Sequence, residues 1–120
     1  METFGNYLTT LRKSRRVTLR ELAQQIELSA SYLTDIEKGR RDSLLLDKLL
    51  NISEFLKLTQ EEQDKLMNLA GNQRNDIAPD LPEYIAGKDY INAALRMAKD
   101  LDAGEEEWLD FIDRLSKKSK

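Results

Sequence analysis

The sequence predicts an all-α fold: a five-helix bundle followed by a short helical extension. Three observations carry that expectation. Apolar residues recur at three- and four-residue spacing, and no stretch reads as a strand. Thr18, Ser29 and Thr59 stand in front of apolar runs, where a helix takes its N-cap. Gly39, Gly71, Gly87 and Gly104 punctuate the runs.

The first helix, near residues 2–14, lines up Phe4, Tyr7, Leu8 and Leu11 on one face. Arg12 and Lys13 occupy its last turn, with Arg15 and Arg16 just beyond, at the negative end of the helix dipole. The second opens on the capping box Thr18-Leu19-Arg20-Glu21 and turns Leu19, Leu22, Ala23 and Ile26 inward. Ser29 caps the third, which buries Leu33 and Ile36 and stops at Gly39. A fourth helix, about 43–56, is apolar on nearly all sides, as suits a central helix or one sharing a face with a second chain. The fifth begins at a second capping box, Thr59 to Glu62, and is expected to close at Gly71. This assigns residues 1–71 to a first domain, 72–80 to a polar connector and 81–120 to the extension. The extension holds a short turn from Asp80 and two amphipathic helices, about 89–102 and 105–117.

Bulk properties narrow the function. The 120-residue chain has no cysteine and no histidine. That excludes disulfides, thiolate or imidazole metal sites, cysteine nucleophiles and histidine acid–base catalysis. No enzyme activity, metal or cofactor is expected. No apolar run approaches the roughly 20 residues of a membrane span, and no signal-peptide core is evident, so a cytoplasmic protein without a membrane partner is expected. Net charge is −3, but it is unevenly spread. Residues 12–41 carry eight basic and four acidic groups, a net +4, against eleven and eighteen elsewhere, a net −7. A local basic excess in an acidic chain suits a selective binder of double-stranded DNA.

Residues 18–41, TLRELAQQIELSASYLTDIEKGRR, describe two short helices, a tight turn, a glycine and a basic pair. Leu11-Arg12, Thr18, Leu22-Ala23, Ser29, Leu33, Ile36-Glu37 and Gly39 resemble the lambda-repressor-like helix-turn-helix family, the Cro and repressor type also known as the xenobiotic-response-element family. The resemblance covers about the first 70 residues. It implies a transcriptional regulator whose third helix enters the major groove. Carried over by position, Ala30, Ser31, Thr34 and Asp35 face the bases, and Arg20, Ser29, Tyr32, Lys38, Arg40 and Arg41 the phosphates. No Arg, Gln or Asn stands on the reading face, so apolar contacts and DNA shape are expected to contribute to specificity. Arg20 is alternatively a base contact. Two positions depart from the family: Glu27 where glycine is usual in the turn, and Leu19 where glutamine is frequent. Glu37 is expected to pair internally with an arginine rather than to touch DNA.

Other patterns lead nowhere. Asp100-x-Asp102-x-Gly104-Glu105 superficially suggests a calcium loop, but its glycine is one place early and Phe111 fills the bidentate glutamate slot. Asn51-Ile52-Ser53 matches a glycosylation sequon inside an apolar helix. An RNA-binding role is disfavoured, since no aromatic platform interleaves the basic residues. Trp108, Leu109, Phe111, Ile112 and Leu115 either fold back on the bundle or form a dimer or partner interface, and the run Glu105–Glu107 helps keep that segment off DNA. The expectation is therefore a homodimeric, promoter-occluding repressor of phage or mobile-element type, with an antirepressor or regulatory protease as a further partner. The alternative is a protein-interaction module, such as an antitoxin or immunity-type regulator, whose C-terminal helices bind a partner protein.

Overall fold

Three helix boundaries in this chain follow one local rule. A helix ends, the next residue takes a left-handed conformation, an apolar residue follows, and a serine or threonine caps the next helix. The rule is written as Arg16-Val17-Thr18, Glu27-Leu28-Ser29 and Lys57-Leu58-Thr59, with φ of 57°, 60° and 54° at the three left-handed residues. In each case the apolar residue's N–H reaches the carbonyl five residues back: Val17 to Arg12, Leu28 to Ala23 and Leu58 to Ser53, at 3.1, 2.9 and 2.9 Å. These are Schellman ends, which satisfy carbonyls a helix terminus otherwise leaves orphaned. The apolar residue packs against the core and the hydroxyl takes an N–H of the following first turn.

The structure is a computed structural model that describes residues 2–118; Met1, Ser119 and Lys120, at the outer edges of the expected domain and extension, lie outside it. The described residues form eight helices and no strand: α1 (Phe4–Ser14), α2 (Leu19–Gln25), α3 (Ala30–Glu37), α4 (Leu46–Phe55), α5 (Gln60–Gln73), α6 (Pro82–Ile85), α7 (Asp89–Asp100) and α8 (Glu105–Lys118). The fold is all-α, as the periodicity requires. Two compact units divide between Tyr84 and Ile85.

In the first unit α1 packs on α3 and α5, while α2 packs on α3 and α4. Phe4, Leu8, Leu22, Ile26, Leu33, Ile36, Leu49, Ile52, Leu56 and Leu66 close over one another as its core. Each buried aliphatic side chain contributes roughly 1.5–3 kcal/mol. Inside this core edge, Arg12 and Glu37 form a two-pronged pair, Nε to Oε2 at 2.8 Å and Nη2 to Oε1 at 2.9 Å, with side chains 9% and 7% exposed. Arg12 Nη1 also donates to the Val17 carbonyl. The expected internal role of Glu37 is thus met, and it removes Arg12 from the basic surface. Gly5 makes the same junction possible, because a Cβ there would stand 2.3 Å from the Glu37 carbonyl oxygen.

Two boundaries differ from expectation. The helix placed at about 43–56 begins only at Leu46, since Ser43 and Leu44 are buried in an irregular approach. It is not apolar-buried all round either: Leu45 and Leu50 are 64% and 45% exposed. The fifth helix does not close at Gly71 but runs on to Gln73. Gly71 is there for closeness. The chain turns at Asn75 (φ 57°) and returns so that a Cβ on Gly71 would meet the Ile77 carbonyl oxygen at 2.4 Å. Ala78 then joins the core, so the first unit extends past residue 71.

In the second unit α7 and α8 are strongly amphipathic yet bury no residue. Acidic Glu105–Glu107 and basic Lys117 and Lys118 sit at the ends of α8 that suit its dipole.

Candidate nucleic-acid interface

The α2–α3 turn holds the helix whose outer face is in question. Glu27 adopts the left-handed conformation that glycine usually supplies, at a cost of roughly 1 kcal/mol. Neighbouring bonds brace the turn. Lys48 Nζ donates to the Ile26 carbonyl at 2.7 Å, at the carbonyl-rich end of α2. Asn51 donates to the Gln25 carbonyl and accepts from the Gln25 side chain. That is the structural employment of the sequon-like asparagine.

Leu33, Ile36 and Glu37 anchor α3 inward. Ser31, Asp35 and Lys38 lie on the opposite side, with Ala30, Thr34 and Tyr32 on the flanks. Ser29 Oγ accepts from the Tyr32 N–H at 3.0 Å, which leaves its own O–H to donate outward. Thr34 Oγ1 donates to the Ala30 carbonyl at 2.8 Å and so faces outward chiefly as an acceptor and a methyl.

Beyond α3 the chain leaves through Gly39 (φ 78°), and the Arg40 N–H reaches back to the Asp35 carbonyl at 2.8 Å. This folds the two arginines toward the helix surface. Arg40 and Arg41 approach the Asp35 carboxylate at 3.4 and 3.7 Å. The Arg41 guanidinium also lies 4.5 Å over the Tyr32 ring. Tyr32, Asp35, Arg40 and Arg41 therefore form one cluster. Ser31 shares its face without bonding to it, and Arg20 and Lys38 make no ion pair among the described residues. Asp35 is engaged by cations rather than presented bare.

The basic excess survives folding. The Arg12–Glu37 pair removes one charge of each sign from residues 12–41. Arg15 is matched from outside the segment by Glu62, leaving about +3 facing solvent. Arg15 also holds the Glu62 carboxyl down to about 2, with the Thr59 N–H assisting. Among the described residues no group of acidic side chains could hold a metal ion, and no helix is long and apolar enough to cross a membrane.

Residues 3–66, more than half of the chain, match the family described as Helix-turn-helix domain. The chain belongs to the helix-turn-helix domain family. It is thereby a DNA-binding transcriptional regulator. A solved chain from a SinR protein/SinI protein complex aligns with this helix-turn-helix protein at a TM-score of 0.48 and 18% identity, covering 98% of this chain and 100% of that one. No curated protein matches significantly. Sequence reasoning passed over Gln73 and Arg74 at the end of α5. Gln73 Nε2 donates to the Arg41 carbonyl and Arg74 grips Ser43, so both flank the α3 exit. Their only signal in the sequence is a cation just past an amphipathic helix, which reads as ordinary dipole compensation.

Proposed function

We propose that this helix-turn-helix protein is a homodimeric repressor of phage or mobile-element type that acts in the cytoplasm by occluding a promoter. The observation that carries the reading is the outer face of α3, open to solvent and bordered at its exit by Arg40 and Arg41. Laid in a major groove, α3 offers Ala30 for a thymine methyl and Ser31 and Thr34 for hydrogen bonds at base edges, with Asp35 suited to cytosine N4. Ser29, Tyr32, Lys38, Arg40, Arg41 and, from α2, Arg20 serve the phosphates. One such helix reads only a few base pairs. Two copies on half-sites about 34 Å apart supply the affinity an operator needs. The apolar faces of α7 and α8, with Trp108, Phe111 and Ile112 at 39%, 52% and 57% exposure, are the surface we assign to the second copy.

Selection of bound duplexes from a random pool at near-physiological salt tests this. A palindromic consensus with half-sites one turn apart is the expected result. Absence of enrichment sinks it.

The same exposed faces favour one second reading, a module whose C-terminal helices engage a different protein, as in an antitoxin or immunity-type regulator or the target of an antirepressor or regulatory protease. Sedimentation of the pure protein separates the two. A dimer at micromolar concentration supports self-association, and a monomer supports the separate partner.

A further inference from the structure

A cleft of about 470 Å³ opens where the chain leaves α3, between Tyr32 and Arg41 on one side and Ser43 and Arg74 on the other. Arg74 belongs to the end of α5, outside the helix-turn-helix segment. Its Nε donates to Ser43 Oγ at 3.2 Å and its Nη2 to the Ser43 carbonyl. Ser43 is 2% exposed and is itself pinned, its hydroxyl donating to the Ala70 carbonyl at 2.8 Å. One edge of the guanidinium is therefore fixed against a buried seat. Nη1 takes no protein acceptor, and no carboxylate comes within ion-pair distance of Arg74 among the described residues. The opposite wall is held as well, with Arg41 stacked on Tyr32 and its carbonyl taken by Gln73.

An immobilised guanidinium without a carboxylate partner, that of Arg74, facing a second that Asp35 engages only at 3.7 Å, that of Arg41, suits an anion with several acceptor oxygens. The ordering cost that weakens flexible surface cations is already met here. We propose that Arg74, together with Arg41, seats a phosphodiester of the DNA backbone, extending the footprint beyond the helix-turn-helix to the end of α5. The inference rests on the DNA-binding reading above. The shared chemistry is a phosphate group, and a free phosphate is the other possible source.

The test is the salt dependence of duplex binding by the full chain, wild type against Arg74→Gln, with thermal unfolding measured alongside. Arg74→Gln is expected to weaken binding roughly tenfold on all sequences alike and to flatten the log–log salt slope by about 0.9, the value of one phosphate. Arg74→Lys keeps the charge and should keep the slope. Phosphate-ethylation interference, read on wild type and on Arg74→Gln, should lose one or two positions in the variant.

An unchanged slope and ethylation pattern in a folded Arg74→Gln protein would leave Arg74 as a brace for the Ser43 loop and overturn the assignment alone. Wild-type protein that binds no duplex would overturn the assignment and the DNA reading together. Inorganic phosphate at matched ionic strength should compete no better than chloride. Selective competition in wild type that vanishes in Arg74→Gln would make the occupant a free phosphate and overturn the DNA-backbone assignment.

Discussion

Among single side chains, the Arg12–Glu37 pair carries the largest expected penalty. Two charges with side chains under a tenth exposed are mutually satisfied by two short hydrogen bonds, and losing one leaves the other buried and unmatched. Arg12→Met should therefore cost about 3–5 kcal/mol in urea unfolding, whereas the double change Arg12→Met, Glu37→Met should recover much of that loss. Asp35 sits at the other extreme. Its two partners are long and solvent-exposed, so it restrains Arg40 and Arg41 only weakly. Asp35→Asn frees both arginines. Binding to any duplex should rise by about threefold, with a steeper salt slope. A changed preference at one base pair on top of that gain would match the cytosine N4 contact proposed for Asp35.

The way helices are started and stopped sets the acid response of the bundle. Glu62 serves twice in the first turn of α5. Its carboxylate accepts from the Thr59 N–H, and it accepts from Arg15 at the end of α1, which ties α1 to α5. Both favour the ionised form and depress its pKa from 4.5 to about 2. A group depressed in the folded state stabilises fully above its unfolded pKa and loses that contribution as pH falls through the folded one. The bundle should therefore weaken between about pH 4.5 and pH 2, and urea midpoints of Glu62→Gln should show a shallower decline there. Capping boxes and period-3.6 stripes are local features, and so α1, α2, α3 and the start of α5 could be read from neighbouring residues alone. The end of α5 could not. Gly71 resembles a stop signal in sequence, and only the return of Ile77 against it explains why the helix continues. The late start of α4 is of the same kind, because Ser43 is held by Ala70 and Arg74, residues roughly thirty positions away. The α3 face was legible because one helix carries it. The Arg74 seat was not, since two distant segments build it.

For the molecule as an assembly, the two units pose different demands. The first encloses a core, whereas α7 and α8 leave Tyr90, Leu95, Met97, Leu101 and the α8 apolar residues in solvent. Two amphipathic helices that bury nothing lack the tertiary packing from which most helical stability comes. If a second copy covers them, the double change Trp108→Glu, Phe111→Glu should convert the dimer to a monomer in sedimentation equilibrium. Affinity for a two-half-site operator should then fall by roughly a hundredfold, while binding to a single half-site stays as weak as before. Unchanged mass would move the interface elsewhere, with exposed Leu45 and Leu50 of the α4 region the next surface to alter.

The repeated left-handed junctions leave thermal headroom unused. Arg16, Glu27 and Lys57 hold a conformation that glycine adopts freely, and among the described residues none of the three side chains makes an ion pair or a hydrogen bond. Replacing each with glycine should raise stability by roughly 0.5–1 kcal/mol, after allowing for the looser unfolded chain. The gains should add where the sites are well separated, giving a triple variant that melts several degrees higher. Because Glu27 lies in the turn that aims α3, its glycine variant also tests whether a bound operator tolerates a more relaxed turn.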